Sequence, residues 1–216
     1  MDQLNKTLNI ALPKGRIGDK VYDIFVSAGY GCTGYDGNDR CLIAENPDAG
    51  VKYLWVKPAD VPVCVERGAA DLGVAGKDIL AEETPDTFEL LDLGVGICRL
   101  MIAAPRGFRD DTCRTLRVAT KYPRIASEYY ASLCRDIDII KLNGSIELAP
   151  LTGLSDVILD IVETGATLRE NGLETLDLVF NVSARLIANK SAFRFKNDAI
   201  TALCNAIKAS LARDIA

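Results

Sequence analysis

The chain has 216 residues, of which 49% are hydrophobic and 25% charged, a composition typical of one large or two small globular domains. It contains no histidine and no CxxC pair among its seven cysteines, which argues against a zinc site and excludes serine–histidine and cysteine–histidine nucleophiles. A net charge of −5 argues against nucleic-acid binding, which needs a basic face, but a local cluster of cations can still hold a small anion.

No apolar run reaches the ~18 residues of a membrane helix, and the first residues lack the apolar block of a secretory signal. We therefore expect a cytoplasmic protein that binds no membrane.

The first hundred residues are predicted to alternate between strands and helices. The apolar run at 8–12 predicts a strand closed by Pro13, and apolar residues at helical spacing follow over 17–28. A glycine-rich turn is predicted at 34–39. The next elements are predicted in the order strand, strand, helix, strand, strand, strand, at 40–45, 51–57, 58–68, 71–76, 89–96 and 97–105.

A polar segment at 105–115 predicts a change of domain. LRVAT at 116–120 then repeats the pattern at the start of the chain, a strand that ends in a polar turn, and a helix is predicted from about 124 to 134. The remaining predicted elements are two strands, a long extended segment and a closing amphipathic helix, at 137–144, 157–162, 173–189 and 192–215.

Strands and helices that alternate in this way predict parallel sheets with helices on both faces, and the number of strands favours two sheets. We expect an α/β fold of two lobes with an inter-lobe cleft, similar to type II periplasmic binding proteins. Lobe I is predicted at 1–93 with 181–216, and lobe II at 94–180. Ligands of such folds bind at the carboxyl ends of strands.

One such strand end, ETGATL at 163–168, has the composition of a phosphate-binding turn. Small side chains let backbone N–H groups approach an anion, and threonine hydroxyls add donors. The candidate phosphate-binding residues are Thr164, Gly165, Ala166, Thr167 and Leu168. A threonine that caps the following helix explains the same residues equally well.

Two acidic residues precede this turn. Asp160 lies within the apolar run VILDIV and needs a partner, because burial of an unpaired carboxylate costs several kcal/mol. Together with Glu163 it suits the vicinal hydroxyls of a ribose, or a Mg²⁺ ion next to them. A phosphate and a diol together indicate a ribose 5-phosphate.

This stretch resembles the 5-phosphoribosyl-1-pyrophosphate (PRPP) motif of phosphoribosyltransferases, and DIVETGATL is similar to its form in the ATP phosphoribosyltransferase family. The resemblance extends over residues 8–190 through LNIALPKGRIG, the block at 60–78, LRVATKYP and FNVSARLIANK. It implies transfer of the phosphoribosyl group of PRPP to N1 of ATP, with substrate-bound Mg²⁺, as the first step of histidine biosynthesis.

The length resembles that of the short form of the family, because the chain stops one helix after SARLIANK. The resemblance then implies that this chain forms a homodimer within a larger hetero-oligomer, which is a hetero-octamer. The regulatory subunit of that assembly resembles a histidyl-tRNA synthetase.

The reaction that the resemblance implies needs cations for the departing pyrophosphate. Lys14 and Arg16 follow the first strand, and Arg16 suits a bidentate contact with pyrophosphate while Lys14 supplies a point charge. The alternative is that residues 14–16 form a solvated turn that contacts no ligand. Further candidates for ATP or pyrophosphate binding are Asp71, Gly73, Lys77, Lys121, Tyr122 as a stacking surface for adenine, and Glu147. The sequence does not distinguish between phosphate contacts and surface ion pairs for three further arginines, Arg67, Arg99 and Arg117.

Two other functions remain open. A solute-binding protein has the same two-lobed fold but no reason for two acids before an ETGAT turn. A base-salvage phosphoribosyltransferase uses PRPP with a free base, but segments such as PKGR and AGKD are not typical of that class.

Overall fold

A computed structural model of the chain describes residues 7–32 and 41–214, and the turn predicted at 34–39 lies outside them. The chain forms two units, one that runs to Gly96 and resumes at Ser183, and one made of Ile97–Val182. The boundaries predicted from the sequence were 93–94 and 180–181.

Strands and helices alternate along most of the described residues. The strands are β1 Leu8–Pro13, β2 Ile43–Asn46, β3 Val51–Val56, β4 Leu72–Gly76, β5 Thr87–Asp92, β6 Cys98–Pro105, β7 Leu116–Thr120, β8 Ile137–Lys141, β9 Val157–Val162, β10 Leu173–Val182 and β11 Ala184–Asn189. The helices are α1 Arg16–Ser27, α2 Val61–Glu66, α3 Lys77–Glu83, α4 Pro123–Ser132, α5 Leu148–Leu151, α6 Ala166–Glu170, α7 Lys190–Phe195 and α8 Asn197–Asp214.

The first unit contains a six-stranded sheet among its described residues, in the order β2-β3-β1-β4-β11-β5. Strand β1 runs parallel to β3, with Pro13 opposite Val56, and parallel to β4, with Ala11 opposite Gly73. The carboxyl ends of these three strands therefore meet at one edge of the sheet, where such folds bind their ligands.

The core of this unit follows from the apolar pattern of its strands and helices. Helix α1 buries Val21, Ile24 and Phe25, which share one face at helical spacing. The rings of Phe25 and Tyr53 meet edge to face at 5.8 Å between centroids. Helix α8 closes the same cluster with Ile200, Leu203 and Ile207, all fully buried.

The second unit contains a five-stranded sheet in the order β10-β6-β9-β7-β8, counted over its described residues. Strands β8 and β9 both run parallel to β7, so their carboxyl ends also share one edge. Helices α5 and α6 contribute Ala149 and Leu168 to an apolar cluster with Met101 and Ile158.

Most of the predicted strands and long helices are confirmed, but the extended segment at 173–189 is two strands. The two strands β10 and β11 belong to different sheets, because the chain passes between the units at Val182 and Ser183. Among the described residues, no helix is both long enough and apolar enough to span a membrane.

Candidate functional site

The carboxyl edge of the second sheet brings together two of the predicted segments. Thr120, the last residue of β7, is opposite Leu159 of β9, so Lys121 directly follows β7 and Asp160 is the next residue of the adjacent parallel strand. The Thr120 hydroxyl donates to the Leu159 carbonyl at 2.8 Å and accepts the N–H of Tyr122 at 2.9 Å. This buried hydroxyl links the end of β7 to the middle of β9.

The ETGAT turn follows β9 directly at the same edge. Gly165 has φ 73°, a left-handed conformation that favours glycine, and α6 begins at the next residue. The Thr164 hydroxyl accepts the N–H of Ala166 at 3.3 Å, and the Arg169 guanidinium donates to the Thr164 carbonyl at 3.1 Å. The residue at the N-cap position is Gly165, and the Thr164 hydroxyl accepts an N–H group at the start of α6, so a helix-capping role remains an alternative to phosphate binding.

The three acidic site candidates of the second unit differ in exposure. Asp160 is half-buried within β9, Glu163 is exposed at the start of the turn, and Glu147 is half-buried just before α5. Ile146, next to Glu147, shares an apolar cluster with Leu168 of α6. Asp160 and Glu163 therefore directly precede or begin the turn, and the residue before Glu147 belongs to the same apolar cluster as Leu168.

The first unit places Lys14 and Arg16 at the carboxyl end of β1. The Lys14 N–H donates to the Val56 carbonyl at 2.8 Å, and Gly15, at φ 92°, turns the chain into α1. A Cβ atom on Gly18 would lie 1.7 Å from the Pro13 carbonyl oxygen, so only glycine lets the first turn of α1 approach the strand this closely. Arg16, the first residue of that turn, is exposed.

Lys77 stands at the same edge of this sheet, directly after β4. Its Nζ lies 2.7 Å from Glu89 Oε2, and the Glu89 carboxylate also contacts Arg185 at 3.3 Å. The Lys77 charge is therefore part of an ion network within the first unit.

Asp71 and Gly73, which are predicted to contact ATP or pyrophosphate, precede the carboxyl end of β4 by several residues. Asp71 precedes β4 at its amino end, where Oδ2 accepts the N–H of Asn9 and the Lys196 ammonium, both at 2.8 Å. A Cβ atom on Gly73 would approach Val61 and Val65 of α2 to 2.8 and 2.6 Å. The structure thus gives Asp71 a role in an ion pair and Gly73 a role in helix packing.

Tyr122 is poorly placed for its predicted stacking on adenine. The residue is only 4% exposed, because α4 begins immediately after it and packs on the sheet. Lys121 Nζ lies 5.9 Å from the centroid of the ring. Of these two neighbours, only the exposed Lys121 offers a ligand a charged group.

A family model described as ATP phosphoribosyltransferase matches residues 57–209. The chain belongs to the ATP phosphoribosyltransferase family. An ATP phosphoribosyltransferase from Brachyspira hyodysenteriae is 52% identical over 202 residues, 93% of this chain and 98% of its own length.

Solved structures agree with the family and the fold. The ATP phosphoribosyltransferase (HisG:HisZ) complex from Thermotoga maritima contains a chain that is 33% identical, with a TM-score of 0.84, covering 96% of this chain and 99% of its own. A probable amino-acid ABC transporter extracellular-binding protein from Bacillus subtilis, 11% identical, has a TM-score of 0.54 over 96% of this chain and 94% of its own. The second likeness concerns the fold alone and confirms the predicted class.

Some charged residues of this ATP phosphoribosyltransferase family member have structural roles that the sequence did not reveal. Arg117, left open above, contacts Asp156 at 2.9 Å, and its hydrogen bonds hold the pKa of that carboxyl well below its usual range. Burial by itself would raise the pKa of Asp92, but hydrogen bonds from the Gly94 N–H and the Ser183 hydroxyl hold it below the usual range. Arg117 and Asp156 are 39 residues apart, and Ser183 and Asp92 are 91 residues apart, so no local sequence pattern predicts these two contacts.

Proposed function

We propose that this chain transfers the 5-phosphoribosyl group of PRPP to N1 of ATP, which gives phosphoribosyl-ATP and pyrophosphate in the first step of histidine biosynthesis. Family membership supports the reaction. The observation that carries the proposal for the site is the ETGAT turn, which directly follows β9, the strand that contains Asp160 and pairs with β7 just before Lys121.

The PRPP end of the site is proposed to be the turn and its two acids. Backbone N–H groups and hydroxyls of residues 164–168 bind the 5-phosphate, and the left-handed Gly165 keeps a side chain away from it. Asp160 and Glu163 accept hydrogen bonds from the ribose hydroxyls. Two carboxylates suit a diol, because ionised carboxyl groups only accept hydrogen bonds and hydroxyls donate them.

The chemistry requires no covalent intermediate on the protein. The lone pair of adenine N1 forms a bond to C1 of the ribose, while the bond from C1 to the pyrophosphate oxygen breaks and its electron pair leaves with pyrophosphate. Positive charge grows on the sugar, as in glycosidic cleavage, and negative charge grows on the leaving group. Arg16 and Lys14 are proposed to neutralise that negative charge.

The remaining charged candidates are proposed to bind ATP or pyrophosphate. Lys77 and Lys121 supply cations for phosphate oxygens, and Glu147 is a further proposed contact. The pairing of Lys77 with Glu89 means that it has to exchange that partner for a phosphate.

Magnesium is proposed to enter with the substrate. Among residues 7–32 and 41–214 no three acidic, cysteine or histidine side chains are grouped to hold a metal ion. Mg²⁺ in phosphate sites is commonly bound by phosphate oxygens, waters and one or two carboxylates, and Glu163 is the proposed protein ligand. The ion reduces the negative charge of the pyrophosphate group.

The quaternary structure is proposed by analogy with the Thermotoga maritima relative, whose structure is a HisG:HisZ complex and whose chain aligns over 99% of its length. A homodimer of this chain is proposed to join a synthetase-like regulatory subunit in a cytoplasmic hetero-octamer.

Two substitutions in the turn test the PRPP assignment. Glu163→Gln and Thr167→Val are each expected to weaken the use of PRPP by roughly 1–3 kcal/mol, the cost of one lost hydrogen bond to a charged or buried group. The measurement is KM and kcat/KM with PRPP varied at saturating ATP. Glu170→Gln, also exposed and on α6, is the control and should behave like the wild type. Unchanged kinetics in both turn variants would mean that the turn only begins a helix.

The choice of acceptor distinguishes the proposed reaction from base salvage. Labelled PRPP is incubated with Mg²⁺ and either ATP or free adenine, and the labelled products are separated. We expect a labelled product in the mixture that contains ATP and none in the mixture that contains adenine. Transfer to adenine instead would identify a salvage enzyme, and retention of PRPP without turnover would identify a solute-binding protein.

A further inference from the structure

Arg169 is an exposed cation on α6 that contacts the backbone of the ETGAT turn. Its Nη1 donates to the Thr164 carbonyl at 3.1 Å. The same atom lies 3.1 Å from the position that a Cβ atom on Gly165 would occupy. The guanidinium therefore rests directly against the turn, in space that the absence of a side chain at Gly165 leaves open.

This contact determines the direction of one N–H group of the turn. The Thr164 carbonyl and the Gly165 N–H belong to the same planar trans peptide, so they point in opposite directions. Because Arg169 holds the carbonyl on its own side, the Gly165 N–H is directed to the opposite side. The neighbouring Ala166 N–H is turned towards the Thr164 hydroxyl and is engaged there at 3.3 Å.

The contact restrains a peptide that the conformation of Gly165 would otherwise leave free to rotate. A glycine at φ 73° has access to other conformations at little cost, so the peptide before it rotates easily unless a partner holds it. A hydrogen bond from a charged donor is about twice as strong as a neutral one, and the donor here comes from the adjoining helix. Arg169 thus restricts the part of the motif with the greatest conformational freedom.

We propose that Arg169 is a positioning residue for PRPP, which holds the Thr164 carbonyl so that the Gly165 N–H is oriented to bind the 5-phosphate. This role rests on the proposed binding of PRPP by the turn. Arg169 acts through the backbone of the turn and is not itself a ligand of the phosphate.

The test compares Arg169→Ala with Arg169→Lys, and with Arg194→Ala as the matched control. Arg194 is also an exposed arginine in the last turn of a short helix, α7, so its loss removes the same charge. The full chain is assayed with its regulatory partner for KM of PRPP and of ATP. Hydrogen–deuterium exchange over 163–170 is measured on the ligand-free protein.

Arg169→Ala is expected to raise the KM for PRPP about tenfold, which corresponds to the loss of one hydrogen bond, and to leave the KM for ATP unchanged. Exchange over 163–170 should become faster, because a restrained turn becomes mobile. Arg169→Lys should keep the KM for PRPP and the exchange rate close to those of the wild type, since an ammonium also donates to a carbonyl. Arg194→Ala should match the wild type.

Three results would overturn the proposal. An unchanged KM for PRPP would show that the contact has no bearing on binding. A raised KM with unchanged exchange would identify Arg169 as a direct ligand of PRPP. A lower melting temperature with equal increases in both KM values would identify a structural role alone. If the wild-type complex did not use PRPP, the proposed function would fail, while exchange would still report whether Arg169 orders the turn.

Discussion

Replacement of Arg16 by alanine is expected to lower kcat by about 10²–10³-fold, with a much smaller change in the KM for either substrate. Negative charge on the pyrophosphate group grows as its bond to C1 breaks, so a cation that contacts this group stabilises the transition state more than the ground state. Arg16 opens α1 immediately after the Gly15 turn, and the close contact of Gly18 with Pro13 holds that helix start against β1. Steady-state kinetics with both substrates varied provide the measurement.

The controls for this substitution separate contact geometry from charge. Arg16→Lys keeps the charge but loses the bidentate fork, and an intermediate kcat is expected. Lys20→Ala removes a cation from the next turn of the same exposed helix and should leave kcat unchanged. A higher KM at unchanged kcat in Arg16→Ala would show that Arg16 binds the ground state and the transition state equally.

Replacement of Asp71 by alanine is expected to cost about 3–5 kcal/mol of stability, which is typical when one partner of a buried ion pair is removed. The side chains of Asp71 and Lys196 are only 13% and 15% exposed, so the substitution would leave the Lys196 ammonium poorly hydrated and unpaired. It would also remove the acceptor for the Asn9 N–H. Denaturant unfolding followed by the fluorescence of Trp55, which lies in the core of the same unit, measures the effect.

A double-mutant cycle assigns the cost to the pair. Lys196→Met should also destabilise the protein, and the double variant should lose much less than the sum of the single variants. Glu45→Ala breaks the exposed pair with Lys52 and should cost less than about 1 kcal/mol. If Asp71→Ala raised the KM for ATP without loss of stability, the ligand role predicted from the sequence would be restored.

The features that the sequence predicted well depend on local patterns. Strand β1, helix α1 and the core of β9 are encoded by the spacing of apolar residues, and the ETGATL turn by consecutive small and hydroxyl side chains. A change of lobe was predicted at 180–181, but the division of the segment at 173–189 into strands β10 and β11 was not, because both halves are extended and only their pairing partners differ. The short helices α5 and α7 have too few residues to show a period.

The features that the sequence did not predict depend on distant partners. Asp71 pairs with a lysine 125 residues further along the chain, and Gly73 is needed for the packing of α2 on β4. Tyr122 follows a strand, a position from which a side chain can reach a ligand at the edge of the sheet. Its burial depends on the packing of α4, which the sequence next to Tyr122 does not show. Arg169 is the exception, because it contacts the Thr164 carbonyl only five residues away, so its partner is local in the sequence.

Transfer of the phosphoribosyl group from PRPP to ATP is tested by following the formation of phosphoribosyl-ATP. The chain, with and without the regulatory partner, is incubated with ATP, PRPP, Mg²⁺ and a pyrophosphatase that removes the second product. The ultraviolet absorbance of phosphoribosyl-ATP is followed with time. We predict a steady increase that requires both ATP and PRPP, with the ribose attached to adenine N1. No product from ATP in either mixture, with PRPP consumed only when a free base is added, would contradict the account.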